Sequence, residues 1–156
     1  MVRLNDLHPD EHAHMLARLD GISPIESAAW VTPPALADAK VALVSTAGLH
    51  RRSDRPFNWG AVDYRLIPGD VDPADLVMSH ASTNFDRSAY QEDLNVCLPI
   101  DRLNELVGSG DVGSAAAWHY SFMGAMPDPA NFEATGEEVG RLLAADGVDV
   151  ALLIPV

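Results

Sequence analysis

The last nine residues, Val148-Asp149-Val150-Ala151-Leu152-Leu153-Ile154-Pro155-Val156, constrain the fold more than any other stretch. Their apolar run from Val150 to Ile154 is continuous rather than alternating. That pattern reads as a strand buried on both faces of a sheet. Lys40 to Ser45 repeats it as Lys-Val-Ala-Leu-Val-Ser. Such strands need helices above and below them, and the sequence supplies candidates. Pro99 to Val107 carries Ile100, Leu103, Leu106 and Val107 at helical spacing, and Gly108-Ser109-Gly110 stops it. Phe132 to Ala145 places Val139, Leu142 and Leu143 on one side, and Asp146-Gly147 closes it. Further strands are expected over Val62–Ile67, Leu76–Met78 and Ala115–Met123. The alternation predicts one α/β domain over residues 1–156, with a mainly parallel sheet flanked by helices in three layers, flavodoxin- or Rossmann-like.

Residues 39–156 would form the sheet core and residues 1–38 an irregular N-terminal extension. Within that extension, Asp10 to Leu19 has helix-forming composition, with Pro9 suited to the first turn. Gly21 to Asp38, with Ser23-Pro24, Trp30 and Pro33-Pro34, would wrap the surface. His8, His12 and His14 lack a completing carboxylate or cysteine pattern, so a solvated helix is the expected outcome.

Charge narrows the partners. The chain sets 10 basic residues, of which only Lys40 is a lysine, against 23 acidic ones, for a formal net charge of −13. This balance opposes a phosphate backbone and argues against a nucleic-acid partner. No apolar run reaches the roughly 18 residues of a membrane span, and the N-terminus lacks a signal-like apolar region, so a cytoplasmic address is expected. Cys97 is the single cysteine. Its apolar neighbours predict a small core residue with an inert thiol.

In open α/β sheets, ligands collect beyond the carboxyl ends of strands. Three polar clusters lie there. Ser45-Thr46-Ala47-Gly48-Leu49-His50-Arg51-Arg52 combines small hydroxyl residues, a glycine and cationic donors, which suits a carboxylate. It is not a P-loop, because the Gly-Lys-Ser/Thr ending is absent. Ser79-His80-Ala81-Ser82-Thr83-Asn84-Phe85-Asp86 runs on toward Asp93-Leu94-Asn95. His80 there can exchange a proton near neutral pH. Asp86, Asp93 and Asn95 would orient it or bind an ammonium group, or else serve as turn and cap residues. In Trp118-His119-Tyr120-Ser121-Phe122, the aromatics would face one side of a strand, with His119 and Ser121 on the other. His50, His80 and His119 with Asp93 are also a conceivable metal set, although no HxH or HExxH spacing supports it.

Taken together the clusters are more specific. Val44-Ser45-Thr46-Ala47-Gly48-Leu49-His50, Asp63-Tyr64-Arg65-Leu66-Ile67-Pro68, and Ser79-His80 with Asp86 resemble the selenoprotein B family of glycine, sarcosine and betaine reductases and the related D-proline reductase subunit. Asp93-Leu94-Asn95 with Pro99-Ile100-Asp101-Arg102-Leu103-Asn104-Glu105-Leu106, then His119 to Gly124, then Asp146 to Asp149, are similar to it as well. The likeness runs from about Val41 to Val156.

The resemblance implies reductive cleavage of a C–N bond in a small amino acid or amine such as glycine, sarcosine, betaine or proline. A selenocysteine or cysteine of a U/C-x-x-C loop is its nucleophile, following a strand similar to Asp149–Pro155. The chain therefore reads as the part of such a subunit upstream of a UGA codon, with no cofactor of its own. Other reductase subunits or a thiol reductant, and a homo- or hetero-oligomer, are the expected partners. Thr46, Gly48 and His50 would hold the substrate carboxylate, with Arg51 assisting. His80 or His119 would supply a proton to the leaving amine, while Asp86, Asp93 and Asn95 orient the ammonium group or the histidines. Two other readings stand beside this one: a non-catalytic small-ligand-binding or regulatory module, and a metal-dependent hydrolase using His50, His80 and His119.

Overall fold

The computed structural model describes residues 3–22, 24, 31–82, 87–126 and 128–156. Helix α1 (Pro9–Asp20) starts with His8 as cap and Pro9 in the first turn, and none of its residues is buried. Strand β1 (Lys40–Ser45) follows, then a short β2 (Leu49–Arg51), β3 (Tyr64–Pro68) and β4 (Leu76–Met78). Helices α2 (Ser88–Glu92) and α3 (Ile100–Ser109) lead to β5 (Ser114–Ala115) and β6 (Trp118–Phe122), and α4 (Glu133–Ala145) leads to β7 (Val150–Ile154). Gly110 ends α3 in the left-handed region, at φ +81°. Pro24 and residues 31–38 are exposed, whereas Trp30, the aromatic expected in the wrapping segment, lies outside the described residues.

Strand β1 is the centre of the main sheet. It runs parallel to β7 along one edge and to β5 and β6 along the other, while β3 joins β6 antiparallel. A separate two-stranded antiparallel pair, β2 with β4, completes the pattern. The sheet is thus mixed and not mainly parallel as expected. The difference lies in β3, which pairs antiparallel with β6. Ile67 is buried and its neighbour Leu66 exposed, as in an antiparallel edge strand, although both are apolar and the sequence alternation of Val62, Tyr64 and Leu66 points to Leu66 as the inward residue. Strand β2 has no signal in the sequence, because three residues including His50 and Arg51 carry no period of their own; pairing with β4 makes it a strand.

The terminal strand also needs correcting. It forms, but Leu152 is 48% and Leu153 is 70% exposed. Among the described residues only β1 pairs with it, so it is a sheet edge rather than a buried strand.

Helices pack on both sides of the sheet. Val41, Leu43 and Ile67 meet Ile100 and Leu103 of α3, together with Leu49, Leu76, Cys97 and Leu98. On the opposite face Tyr120 and Phe122 meet Val139 of α4, with Tyr64, Phe132 and Leu143 around them. The alternation expected across Trp118–Phe122 holds, because buried His119 and Ser121 intervene between the aromatics on the other face.

One irregularity positions the site. Ala115 pairs with Val41 but Tyr120 pairs with Val44, so the β5–β6 edge carries two more residues than β1 does between these points. At this bulge the Ala117 carbonyl turns away to accept from Gly69 N at 2.9 Å. The N–H of Leu43 bonds instead to Nδ1 of His119, at 3.1 Å.

Candidate functional site

The carboxyl end of β1 gathers three segments. Thr46 N donates to the Ile154 carbonyl at 3.1 Å, and Gly124 N donates to the Thr46 carbonyl at 2.9 Å. The Thr46 hydroxyl accepts from Val156 N at 2.8 Å. Thr46 therefore ties the end of β7 to the end of β6. Gly48, at φ +66°, sits on the stretch that follows β4: a Cβ there would lie 3.1 Å from His80 N and 3.2 Å from its Cα. Only glycine allows that approach together with that backbone angle. The Ser79 N–H donates to the Gly48 carbonyl at 2.9 Å, extending the β2–β4 pairing to the edge of the cluster.

His50 and Ser79 meet across this pairing. His50 Nε2 lies 2.8 Å from Ser79 Oγ, and its Nδ1 lies 2.7 Å from the Arg51 carbonyl oxygen. His50 is buried, and the Phe57 ring packs edge-on against it at 6.4 Å between centroids. His80 is buried beside them; its Nδ1 accepts from Ser82 N at 3.2 Å, and its carbonyl accepts from the Arg87 guanidinium. Burial and the nearby Arg87 charge push the His80 imidazole below its ordinary pKa, so it is neutral at pH 7.

The backbone donors of the first cluster are spent inside the protein. Ala47 N reaches Ser45 Oγ at 3.2 Å, Gly48 N the Phe122 carbonyl at 2.8 Å, and Leu49 N Ser121 Oγ at 2.8 Å. The cradle of backbone N–H groups expected around an anion is accordingly not formed by residues 46–49. Arg51 is also engaged: its Nε and Nη2 donate to the Asp54 carboxylate at 3.2 and 3.0 Å. That fork raises the Arg51 pKa through hydrogen bonding and charge attraction.

Of the other expected residues, His119 shares a strand face with Ser121 but is fully buried at the bulge. Its Nδ1 accepts the Leu43 N–H, so Nε2 carries the proton, and Nε2 has no partner among the described residues. Burial pushes its pKa down to about 4. Asp93 and Asn95 turn to each other and to Asp101: Asn95 Nδ2 donates to Asp93 Oδ1 at 2.8 Å and to Asp101 Oδ2 at 2.9 Å. They cap the entry to α3 and make no hydrogen bond to His50 or His119. Asp86 lies outside the described residues.

Sequence reasoning assigns no site role to two residues of this neighbourhood, Ser79 and Arg87. Ser79 directly precedes His80 in the sequence, and only the tertiary structure brings it to His50, two residues beyond Val77, the register partner of His50. Among the described residues no group of three or more His, Cys, Asp or Glu side chains suits a metal ion, which leaves the hydrolase reading without a ligand set there.

Cys97 is buried in the core, as its neighbours imply, and desolvation raises its thiol to about 11. Labelling with a thiol reagent at pH 7 is expected to run about a hundredfold or more slower in the native chain than in the unfolded one. Rapid labelling of folded protein would contradict this burial. No described helix is long and apolar enough to cross a membrane.

Comparison with known proteins agrees with the motifs. The family model for glycine/sarcosine/betaine reductase selenoprotein B matches residues 18–155. The D-proline reductase subunit gamma of Acetoanaerobium sticklandii is 37% identical over 133 residues, which is 79% of this chain and 54% of that protein. The chain thus spans about half the length of this curated relative. No solved structure gives a significant match.

Proposed function

Since the chain belongs to the glycine/sarcosine/betaine reductase selenoprotein B family, we propose that it is the ligand-holding part of a reductase subunit that cleaves a C–N bond in a small amino acid or amine. The observation that carries this reading is the convergence of Thr46, Gly48, His50, Ser79 and His80 at the carboxyl end of β1, with Thr46 fixing the end of β7 beside them. Strand ends of this kind are where α/β proteins hold small ligands.

The reductive nucleophile comes from elsewhere in the assembly, as selenocysteine or cysteine. Cys97, the chain's single cysteine, is protonated and enclosed at pH 7 and cannot act as the thiolate that such chemistry needs. His80 is the proton-exchanging group of the site; held neutral, it takes up a proton or donates its N–H rather than waiting as an imidazolium. Arg87, whose guanidinium reaches the His80 carbonyl, is the cation placed to face a carboxylate. Other reductase subunits and a thiol reductant complete the reaction.

Calorimetric titration of the chain with glycine, sarcosine, betaine and proline tests the pocket. Saturable binding of at least one is expected, and binding of none would remove the reading. A turnover assay with dithiothreitol separates the roles: the chain alone should release no amine. Turnover by the chain alone would overturn the assignment of the nucleophile to another part of the assembly.

A further inference from the structure

The hydrogen bonds around His50 fix a direction. A carbonyl oxygen can only accept, so the Nδ1 that lies 2.7 Å from the Arg51 oxygen carries a proton. In the neutral ring Nε2 is then a bare acceptor, and the Ser79 hydroxyl at 2.8 Å must donate to it. With its hydrogen committed to His50, Ser79 Oγ offers only lone pairs to a further group. Both ring nitrogens of His50 are occupied, so whatever His50 contributes to a ligand passes through Ser79.

The neighbouring charges reinforce that polarity. The Asp54 carboxylate is held by the Arg51 fork, and Arg65 lies on the Phe57 ring, with its guanidinium carbon 4.4 Å from the centroid, and bonds to Asp63 and the Arg55 carbonyl. Neither is the partner of Ser79. His50 is buried while Ser79 is only partly so, which makes Ser79 the accessible end of the pair.

We propose that Ser79 receives the substrate nitrogen, its Oγ accepting a hydrogen bond from an ammonium N–H, so that the site selects primary and secondary amines over fully N-methylated ones. This rests on the reading that the chain holds a small amino acid or amine, and it names the class within it. Glycine, sarcosine and proline present such an N–H; a trimethylated ammonium does not. Recognition built on a hydrogen bond rejects an analogue lacking the donor more sharply than a difference in size would, because the acceptor is left unpaired.

The experiment is calorimetry of the chain with glycine and with N,N,N-trimethylglycine, for the native chain and for Ser79→Ala and Ser79→Thr. Glycine should bind about tenfold more tightly than its trimethylated form. Ser79→Ala should abolish that ratio by weakening glycine alone, and Ser79→Thr, which keeps the hydroxyl, should retain it. Equal binding of the two ligands by the native chain, or a ratio unchanged in Ser79→Ala, would overturn the proposal while leaving the pocket intact. Binding of neither ligand, with sarcosine and proline also failing, would overturn the pocket reading itself. Long-range proton–nitrogen spectra of the histidine rings provide a ligand-independent check. His50 should show a protonated Nδ1 and a bare Nε2 whose signal moves in Ser79→Ala, and the opposite tautomer would refute the assignment even if a variant failed to fold.

Discussion

Acidification from pH 7 to pH 4 is expected to remove about 3 kcal/mol of folding stability, with the buried imidazole of His119 as the main cause. Its folded pKa is pushed down to about 4, against about 6.5 for an unfolded histidine. Above both values the ring is neutral in either state and the stability is fully present. Between them the unfolded chain binds a proton that the folded one refuses, so stability falls as pH falls through this window. His80, also shifted down, adds to the loss in the same direction.

The variants divide this effect. His119→Asn keeps an acceptor that can meet the Leu43 N–H but cannot titrate, so urea unfolding should show a flatter pH dependence with modest loss at pH 7. His119→Leu leaves that N–H orphaned inside the sheet and should cost about 1–3 kcal/mol even at pH 7. A native chain equally stable at pH 7 and pH 4, or a His119→Asn slope identical to it, would refute the account.

Gly48→Ala is expected to cost about 2–3 kcal/mol and to separate His50 from Ser79. Its φ of +66° penalises any side chain, and the added Cβ would stand 3.1 Å from the His80 amide nitrogen. Backbone cannot swing aside as a flexible side chain would. The Ser79–His80 segment must retreat, and with it the hydroxyl that reaches His50. Thermal unfolding measures the stability loss, and the His50 nitrogen shifts measure the separation. By comparison, Gly60→Ala carries a similar strain at φ +74° but meets no atom within 4 Å. It should be milder and leave His50 undisturbed; equal effects at the two glycines would show that backbone strain, not the close approach, controls Gly48.

Legibility in the sequence tracked the length of the pattern. Lys40–Ser45 and Leu76–Met78 were legible to the residue, and the helices at 100–109 and 133–145 to within one or two. Each has an apolar rhythm of its own. Leu49–Arg51 has none, and its strand character comes from hydrogen bonds to a segment that begins 25 residues later. At the site, the sequence pointed to polar residues after strands but could not say which of them were already committed. Asp93 and Asn95 turned out to serve the start of α3, and Arg51 is bound to Asp54. His119 fills the gap left by a bulge. Such commitments depend on where a second segment lies, and local spacing does not encode that.

By itself the sequence determined the α/β class, strand β1 and the helices at 100–109 and 133–145, the inert thiol of Cys97, and the motifs that mark the reductase family. These follow from periodicity, burial preference and residue identity along the chain. Only the tertiary structure decided that the sheet is mixed, that β7 pairs with β1 alone among the described residues, and that Ser79 is the hydroxyl facing His50. These depend on strand register and on which backbone donors remain after pairing, and both are settled only when distant segments meet.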